Sequence, residues 1–220
     1  FGGGYMRKLI GQLPQLGEYD DSLPSTVSQH LRWSRDANIQ LWITSWWGPG
    51  SREDETTRNV ILAHAELGTH EICLLYETSN RLQGHDGDRS THRITDDMNY
   101  MADHYWNHPN YLRINGRPVV FLYISRVLTT ENYLEEAMLL MRTAAAKRGH
   151  VIYIVGDQAF GDPPQAGQEY GPFDYMDAVT SYDVYGTLAR GYAYKEGVDT
   201  YYDKQNKWRT QAKAQNCGFM

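Results

Sequence analysis

The residues in this chain best suited to chemistry recur where apolar runs stop. Leu74-Leu75-Tyr76 is followed by Glu77, Phe121-Leu122 by Tyr123, Val155-Gly156 by Asp157, and Ala178-Val179-Thr180-Ser181 by Tyr182. A further run, Leu41-Trp42-Ile43-Thr44, opens into Ser45-Trp46-Trp47-Gly48-Pro49-Gly50-Ser51-Arg52-Glu53-Asp54: two adjacent tryptophans, a Gly-Pro-Gly turn, then three charges. Broad indole faces beside polar groups suit a sugar ring, which offers an apolar C–H face and a rim of hydroxyls. Glycoside hydrolysis usually needs two carboxylates flanking the scissile bond, with an oxocarbenium-like transition state between them. Glu77 is the one good candidate for such a carboxylate, and Asp157 is the next. Trp46, Trp47, Tyr123 and Tyr182 complete the candidate substrate-binding set.

Each of these residues also has a plainer reading. Glu77 can be a structural partner of a nearby Arg such as Arg81. Adjacent strand residues face opposite ways, so one of Trp46 and Trp47 is expected to line the cleft and the other to pack in the core. Tyr182 can be a hydrogen-bonded core tyrosine. Glu18, Glu53 and Asp54 read as solvated charges or caps on loops. The eight His show no H-E-x-x-H or H-x-H pattern, and neither Cys has a partner at ligand spacing. No metal and no cofactor is therefore assigned. A serine hydrolase is not indicated, since no G-x-S-x-G elbow is present. The polar stretch Gln83 to Arg93 reads as a lid or a solvated loop.

Composition narrows the class. The chain has 220 residues, 41% of them hydrophobic, enough for one globular domain with a full core. The net charge of −6 and the lack of a basic stripe argue against nucleic acid. Mean hydropathy is −0.62, and no apolar run approaches the roughly 20 residues of a membrane span. Six Trp and 17 Tyr fit sites that are half apolar and half wet. Cys73 lies in an apolar run and reads as a small buried hydrophobe, and a disulfide to Cys217 is left open. The chain opens Phe-Gly-Gly-Gly without an initiator Met, which reads as a processed or truncated start.

The elements that must position these residues alternate strand and helix. Strands are expected at Leu9 to Leu13, Leu41 to Trp46, Ile72 to Tyr76, Pro118 to Ile124, Val151 to Val155 and Ala178 to Tyr182, with Gly218 to Met220 opening a seventh. Helices are expected after a Ser25-Thr26 cap, after a Thr95 cap, over Glu131 to Arg148, and over about Tyr201 to Gln215. Near-continuous apolar strands between helices mean a covered parallel sheet. Neither G-x-G-x-x-G nor G-x-x-x-x-G-K-[ST] is present, which disfavours a nucleotide-binding open sheet. Candidate site residues follow nearly every strand, and in a barrel those ends converge on one face. The expected class is α/β, a (β/α)8 TIM-like barrel, incomplete in this chain at about six strands plus the start of a seventh. Residues 1–220 are read as a single such domain, truncated at both ends.

Several segments, taken in order, resemble glycoside hydrolase family 99, the endo-α-1,2-mannosidase and mannanase family. Pro14-Gln15-Leu16-Gly17-Glu18-Tyr19 is similar to the family's P-x-L-G-x-Y stretch, and Ser45 to Gly50 to its S-W-W-G segment. Ile72 to Glu77 falls where the family has a strand ending in Glu. Tyr105 to Tyr123 resembles its H-P-x-x-Y…G-R-P…Y segment, and Phe173 to Tyr182 the F-D-x-x-x-x-x-Y end of its strand six. The resemblance implies a retaining endo-acting α-mannosidase on a (β/α)8 barrel, with a mannose-containing glycan as partner and a secretory or extracellular location. It implies that one carboxylate deprotonates the sugar's own 2-hydroxyl while a Glu acts as general acid. Both belong to an N-E-W-x-E type segment after strand seven, which these 220 residues do not contain. Glu77 would then contact substrate and Tyr182 would be a site tyrosine. Two departures stand out. The family's His-x-Glu-Pro-Tyr is here Leu75-Tyr76-Glu77-Thr78-Ser79, and its Tyr-Asp-Ser is here Tyr123-Ile124-Ser125. A non-catalytic glycan-binding or structural protein on the same barrel, part of a larger assembly, is the alternative.

Overall fold

A computed structural model describes residues 14–82, 90–182 and 194–220. Its elements follow in the order α1 (Pro24–Asp36), β1 (Leu41–Trp46), α2 (Arg52–Thr56) with a π-turn at Thr57–Ile61, β2 (Glu71–Tyr76), α3 (Thr78–Arg81) and α4 (Ile94–His104). There follow β3 (Arg113–Ile114), β4 (Arg117–Leu122), α5 (Arg126–Thr130), α6 (Leu134–Lys147), β5 (Tyr153–Asp157), α7 (Pro172–Tyr175), β6 (Ala178–Thr180), α8 (Tyr194–Ala214) and β7 (Gly218–Phe219). The expected strand at Leu9 to Leu13 and most of the Gln83 to Arg93 stretch lie outside the described residues.

The strands pair in the order β1-β2-β4-β5-β6-β7, all parallel, with the short β3 hairpinned against β4. A doubly wound sheet reverses its strand order at a switch point. None occurs among the described strands: each crossover steps one strand further the same way. Since such crossovers are right-handed, all the helices fall on one face and the other face is left concave. This is the winding of a (β/α) barrel, and the described strands form an open arc of it. Leu31, Ile72, Leu74, Met98, Met101, Leu122, Ala137 and Met141 are fully or almost fully buried and belong to one continuous core. At the lower end of the sheet Asp177 ties the strands together. It accepts from Arg117 at 2.6 Å, Arg142 at 3.0 Å and the Ile154 N–H at 2.9 Å.

Local chemistry shifts several expected boundaries. Helix α1 starts at Pro24 after Leu23, not after a Ser25-Thr26 cap, because a proline's fixed φ and missing N–H suit the first turn. Helix α4 begins at Ile94 without a side-chain cap. Asn132, at φ +59°, divides the helix expected over Glu131 to Arg148 from the short α5 before it. The β3–β4 turn uses Asn115 and Gly116, at φ +51° and +77°, the left-handed pair a two-residue hairpin requires. Strand β4 stops at Leu122 because Ile124 enters the left-handed region at φ +44°. Strand β5 runs two residues later than its apolar stretch suggests, because its pairing starts at Val119–Tyr153 and continues through Asp157–Thr180.

Candidate functional site

The register decides which strand ends meet. Tyr76, Leu122 and Gly156 form one cross-strand row. One residue further along stand Glu77, Tyr123 and Asp157, with Thr180 paired to Asp157. These four, with Ser45, Ser181, Tyr182 and Tyr201 of α8, line a concavity of about 520 Å3 at the C-terminal ends of the strands. Its floor is apolar, from Ile43, Leu75 and Phe121. An apolar floor under a hydroxyl and carboxylate rim is the lining a sugar ring needs.

Glu77 is 4% exposed. Among the described residues it makes no ion pair, and Arg81 is committed elsewhere. The Arg81 guanidinium grips Asp97 through Nε at 2.9 Å and Nη2 at 2.5 Å, and Tyr76 donates its hydroxyl to the same carboxylate. Removal from water pushes the Glu77 carboxyl up. The Ser45 hydroxyl opposes that shift, while the charges of Glu53 and Asp157 add to it. Burial also raises the Tyr123 hydroxyl, with the Glu77 and Asp157 charges adding to the shift. Thr78, buried beside Glu77, donates its hydroxyl to the Tyr123 carbonyl and links the two loops.

Asp157 is buried at 1% exposure and lines the same concavity. Its carboxylate accepts three backbone N–H groups: Ile124 at 3.2 Å, Ala159 at 3.0 Å and Tyr182 at 2.8 Å. The Tyr182 side chain is 73% exposed, so it is not a core tyrosine.

The two tryptophans are divided. Trp46 is fully buried and stacks on Tyr76 with ring centroids 5.9 Å apart, so its indole belongs to the core and not to the concavity. Trp47 is 39% exposed, with its carbonyl held by Asn80 at 3.0 Å. Gly48 is required behind it: at φ +116°, a Cβ there would sit 2.4 Å from Arg81 Nη1. The residue that sequence reasoning misjudged is Asp54. It lies on α2, fully buried, and accepts from Trp46 Nε1 at 3.0 Å, Gly50 N–H at 2.9 Å, Tyr100 at 2.6 Å and Tyr105 at 2.5 Å. Burial pushes its carboxyl up, but hydrogen bonds from Tyr100, Tyr105, Gly50 and Trp46 outweigh this and hold it below the usual range. Asp54 thereby fixes the Trp46–Gly50 turn. No local signal marks it, because its partners lie up to 51 residues away. Ser181 and Tyr201 were likewise not anticipated.

A second groove of about 610 Å3 runs along α1 and β1 and includes His30, Trp33, Trp42 and Glu53. Ser45 alone is common to both cavities. The smaller one holds the strand-end carboxylates and is the better candidate site. Cys73 and Cys217 are free, buried thiols, and burial raises both, Cys217 to about 12. Among the described residues, no group of three His, Cys, Asp or Glu side chains could hold a metal ion, and no helix is long and apolar enough to cross a membrane.

A singly wound parallel β/α sheet, with carboxylate and tyrosine side chains gathered at the C-terminal strand ends, defines a glycoside hydrolase-like barrel protein. The profile of glycosyl hydrolase family 99 matches residues 10–149, and the chain belongs to that family. A mouse glycoprotein endo-alpha-1,2-mannosidase is 30% identical over 125 residues, covering 52% of this chain and 25% of that protein. A human glycoprotein endo-alpha-1,2-mannosidase-like protein is 25% identical over 124 residues, covering 54% and 26%. The matched segment thus spans about a quarter of each relative's length. The structure of a GH99 endo-alpha-mannosidase from Bacteroides thetaiotaomicron superposes with a TM-score of 0.65 at 21% identity, covering 94% of this chain and 55% of that one. A structure described as a glycoside hydrolase-like protein gives 0.62 at 17% identity, covering 95% and 65%.

Proposed function

We propose that this chain forms the substrate-binding part of a retaining endo-α-mannosidase-type glycoside hydrolase. Glu77, Tyr123, Asp157 and Tyr182 belong to its site, and the half-exposed Trp47, outside the lining of the concavity, is the indole available to join them from the loop after β1. The substrate is a mannose-containing glycan with an α-1,2 linkage, as the names of the relatives suggest. Residues 1–220 are read as one domain of the barrel, acting on the secretory route that a glycoprotein-processing role requires. One observation carries the reading. Glu77 is a buried carboxylate facing an open, apolar-floored concavity, and Arg81, the cation nearest it in sequence, is bound to Asp97. A desolvated carboxylate gains most by hydrogen-bonding a ligand's hydroxyl groups. The other residues orient the sugar: apolar floor against its C–H face, Tyr123 and Tyr182 at its hydroxyl rim.

The test uses the full-length protein and α-1,2-mannobiose. Wild type should bind it, and Glu77→Gln should bind it roughly ten- to a hundredfold more weakly without losing thermal stability. A lowered melting temperature with unaltered affinity would return Glu77 to a structural role and sink the reading. Release of mannose-containing products by the full-length protein separates the enzyme from a non-catalytic binder on the same barrel.

A further inference from the structure

We propose that Asp157 is a positioning residue: its carboxylate clamps the backbones of three strand-end loops and so sets the spacing of Tyr123 and Tyr182 around Glu77. The clamp is independent of any ligand, and its effect on glycan affinity rests on the function proposed above. Three peptide N–H groups from three segments converge on one buried carboxylate. Ile124 follows β4, Ala159 follows β5 and Tyr182 follows β6. The Asp157 carbonyl also takes part, accepting from the Ser125 N–H at 2.7 Å and its hydroxyl at 2.9 Å. Gln158 adds a second tie from the same strand end. Its amide donates to Ser125 Oγ at 2.8 Å, and its N–H to the Thr180 carbonyl at 2.8 Å. Strand β5 is therefore the post against which the loops after β4 and β6 are fixed. Each of those loops carries a site residue next to its anchored amide: Tyr123 precedes Ile124, and Tyr182 is itself anchored.

Ile124 shows why a clamp is needed. A β-branched residue at φ +44° is a backbone outlier, unstable unless the surroundings over-determine it. Of the neighbours of Ile124, the Asp157 carboxylate is what takes up its N–H. Without that acceptor the segment would relax toward an extended backbone and carry Tyr123 out of the row it shares with Glu77. Asparagine at position 157 cannot substitute. If its single carbonyl oxygen serves Ala159 and Tyr182, its NH2 must face the Ile124 N–H, donor against donor.

The experiment follows amide hydrogen exchange and α-1,2-mannobiose affinity in the full-length protein, in Asp157→Asn and in the double variant Asp157→Asn/Ile124→Asn. Asparagine enters the left-handed region several-fold more readily than isoleucine, so it lowers the demand on the clamp. The clamp predicts protected amides at Ile124, Ala159 and Tyr182 in wild type. In Asp157→Asn it predicts faster exchange at Ile124 and about tenfold or more loss of affinity. The double variant should regain most of that affinity. Lost affinity with unaltered exchange and no recovery would mean that Asp157 touches the sugar directly, and would overturn the proposal. So would unprotected amides in wild type, a measurement that stands even if Asp157→Asn fails to fold. If wild type binds no mannobiose, the functional reading fails, and the exchange data alone decide the clamp.

Discussion

Replacing Asp54 by Asn should cost about 3 kcal/mol of stability. Its carboxylate accepts from two fixed donors, Trp46 Nε1 and the Gly50 N–H, and from the Tyr100 and Tyr105 hydroxyls. Arg58 Nε lies 3.5 Å away, an ion contact rather than a hydrogen bond. Asn keeps one acceptor oxygen and turns an NH2 toward the remaining donors. The hydroxyls can rotate to accept from it, but the indole and peptide N–H groups cannot. Breaking a buried charged network costs about 3–5 kcal/mol, and the retained bonds place Asn at the lower end. A domain of this size loses about 2–4 °C per kcal/mol, so the melting temperature should fall by about 6–12 °C at pH 7. The pH dependence gives an independent check. The folded carboxyl lies below its unfolded value, so its contribution is present above the unfolded pKa and lost as pH falls through the folded one. The difference between wild type and variant, followed by circular dichroism, should be full at pH 7 and narrow below about pH 4. A shift of under about 2 °C, or a difference that widens on acidification, would refute the reasoning.

Three further outcomes follow from the same geometry. Glu77→Gln should leave the melting temperature at pH 7 equal or higher, because it removes a desolvated charge. The folded Glu77 carboxyl titrates above its unfolded value, so its charge costs stability only at higher pH, and any gain should vanish as pH falls toward the usual carboxylate range. Gly48→Ala should lower both stability and α-1,2-mannobiose affinity: the added Cβ displaces Arg81, and the backbone at φ +116° resists a side chain, a cost of about 1–3 kcal/mol. An unaltered melting curve would show that the turn relaxes freely. Ile124→Asn should raise the melting temperature by about 2–8 °C, since a left-handed isoleucine costs about 1–2 kcal/mol. A lower value in differential scanning calorimetry would mean that the Ile124 side-chain packing outweighs the strain.

What was legible in the sequence was what is local. Apolar runs gave β1, β2 and β4 nearly to their ends, and a charged or aromatic residue after each run gave Glu77, Tyr123 and Tyr182. The choice of barrel over open sheet came from those recurring ends, and the sequential strand order bears it out. The misjudged details depend on partners far along the chain. Asp54 follows Trp46 by eight residues and looks like one more charge in a polar turn, yet its tyrosine partners are Tyr100 on α4 and Tyr105 just past its end. Asp157 was read as lying beyond its strand, because Gly156 seems to end the apolar run, but pairing with Thr180 keeps it inside. Ile124 carried a readable hint. It stands where the family resemblance implies Asp, a residue that enters the left-handed region more readily.

The buried carboxylates, taken together, separate scaffold from site. Asp54, Asp97 and Asp157 are each held by fixed donors: indole and tyrosine hydroxyls, a guanidinium fork, three peptide N–H groups. At the opposite end of the sheet Asp177 is held by two arginines, and hydrogen bonds from Ile154, Arg117 and Arg142 outweigh burial to keep its carboxyl low. Glu77 is as buried as these, but burial raises it and the Ser45 hydroxyl is its one opposing hydrogen bond. Burying a charge without compensation is costly, so a fold assembled only for stability would not retain it. Four carboxylates are thus held firmly, and the fifth faces the concavity with one opposing hydrogen bond, which is what favours the substrate contact proposed for Glu77. The two that clamp loops, Asp54 and Asp157, fix the turns on either side of Glu77, and this makes its position depend on strands β1, β4, β5 and β6 together.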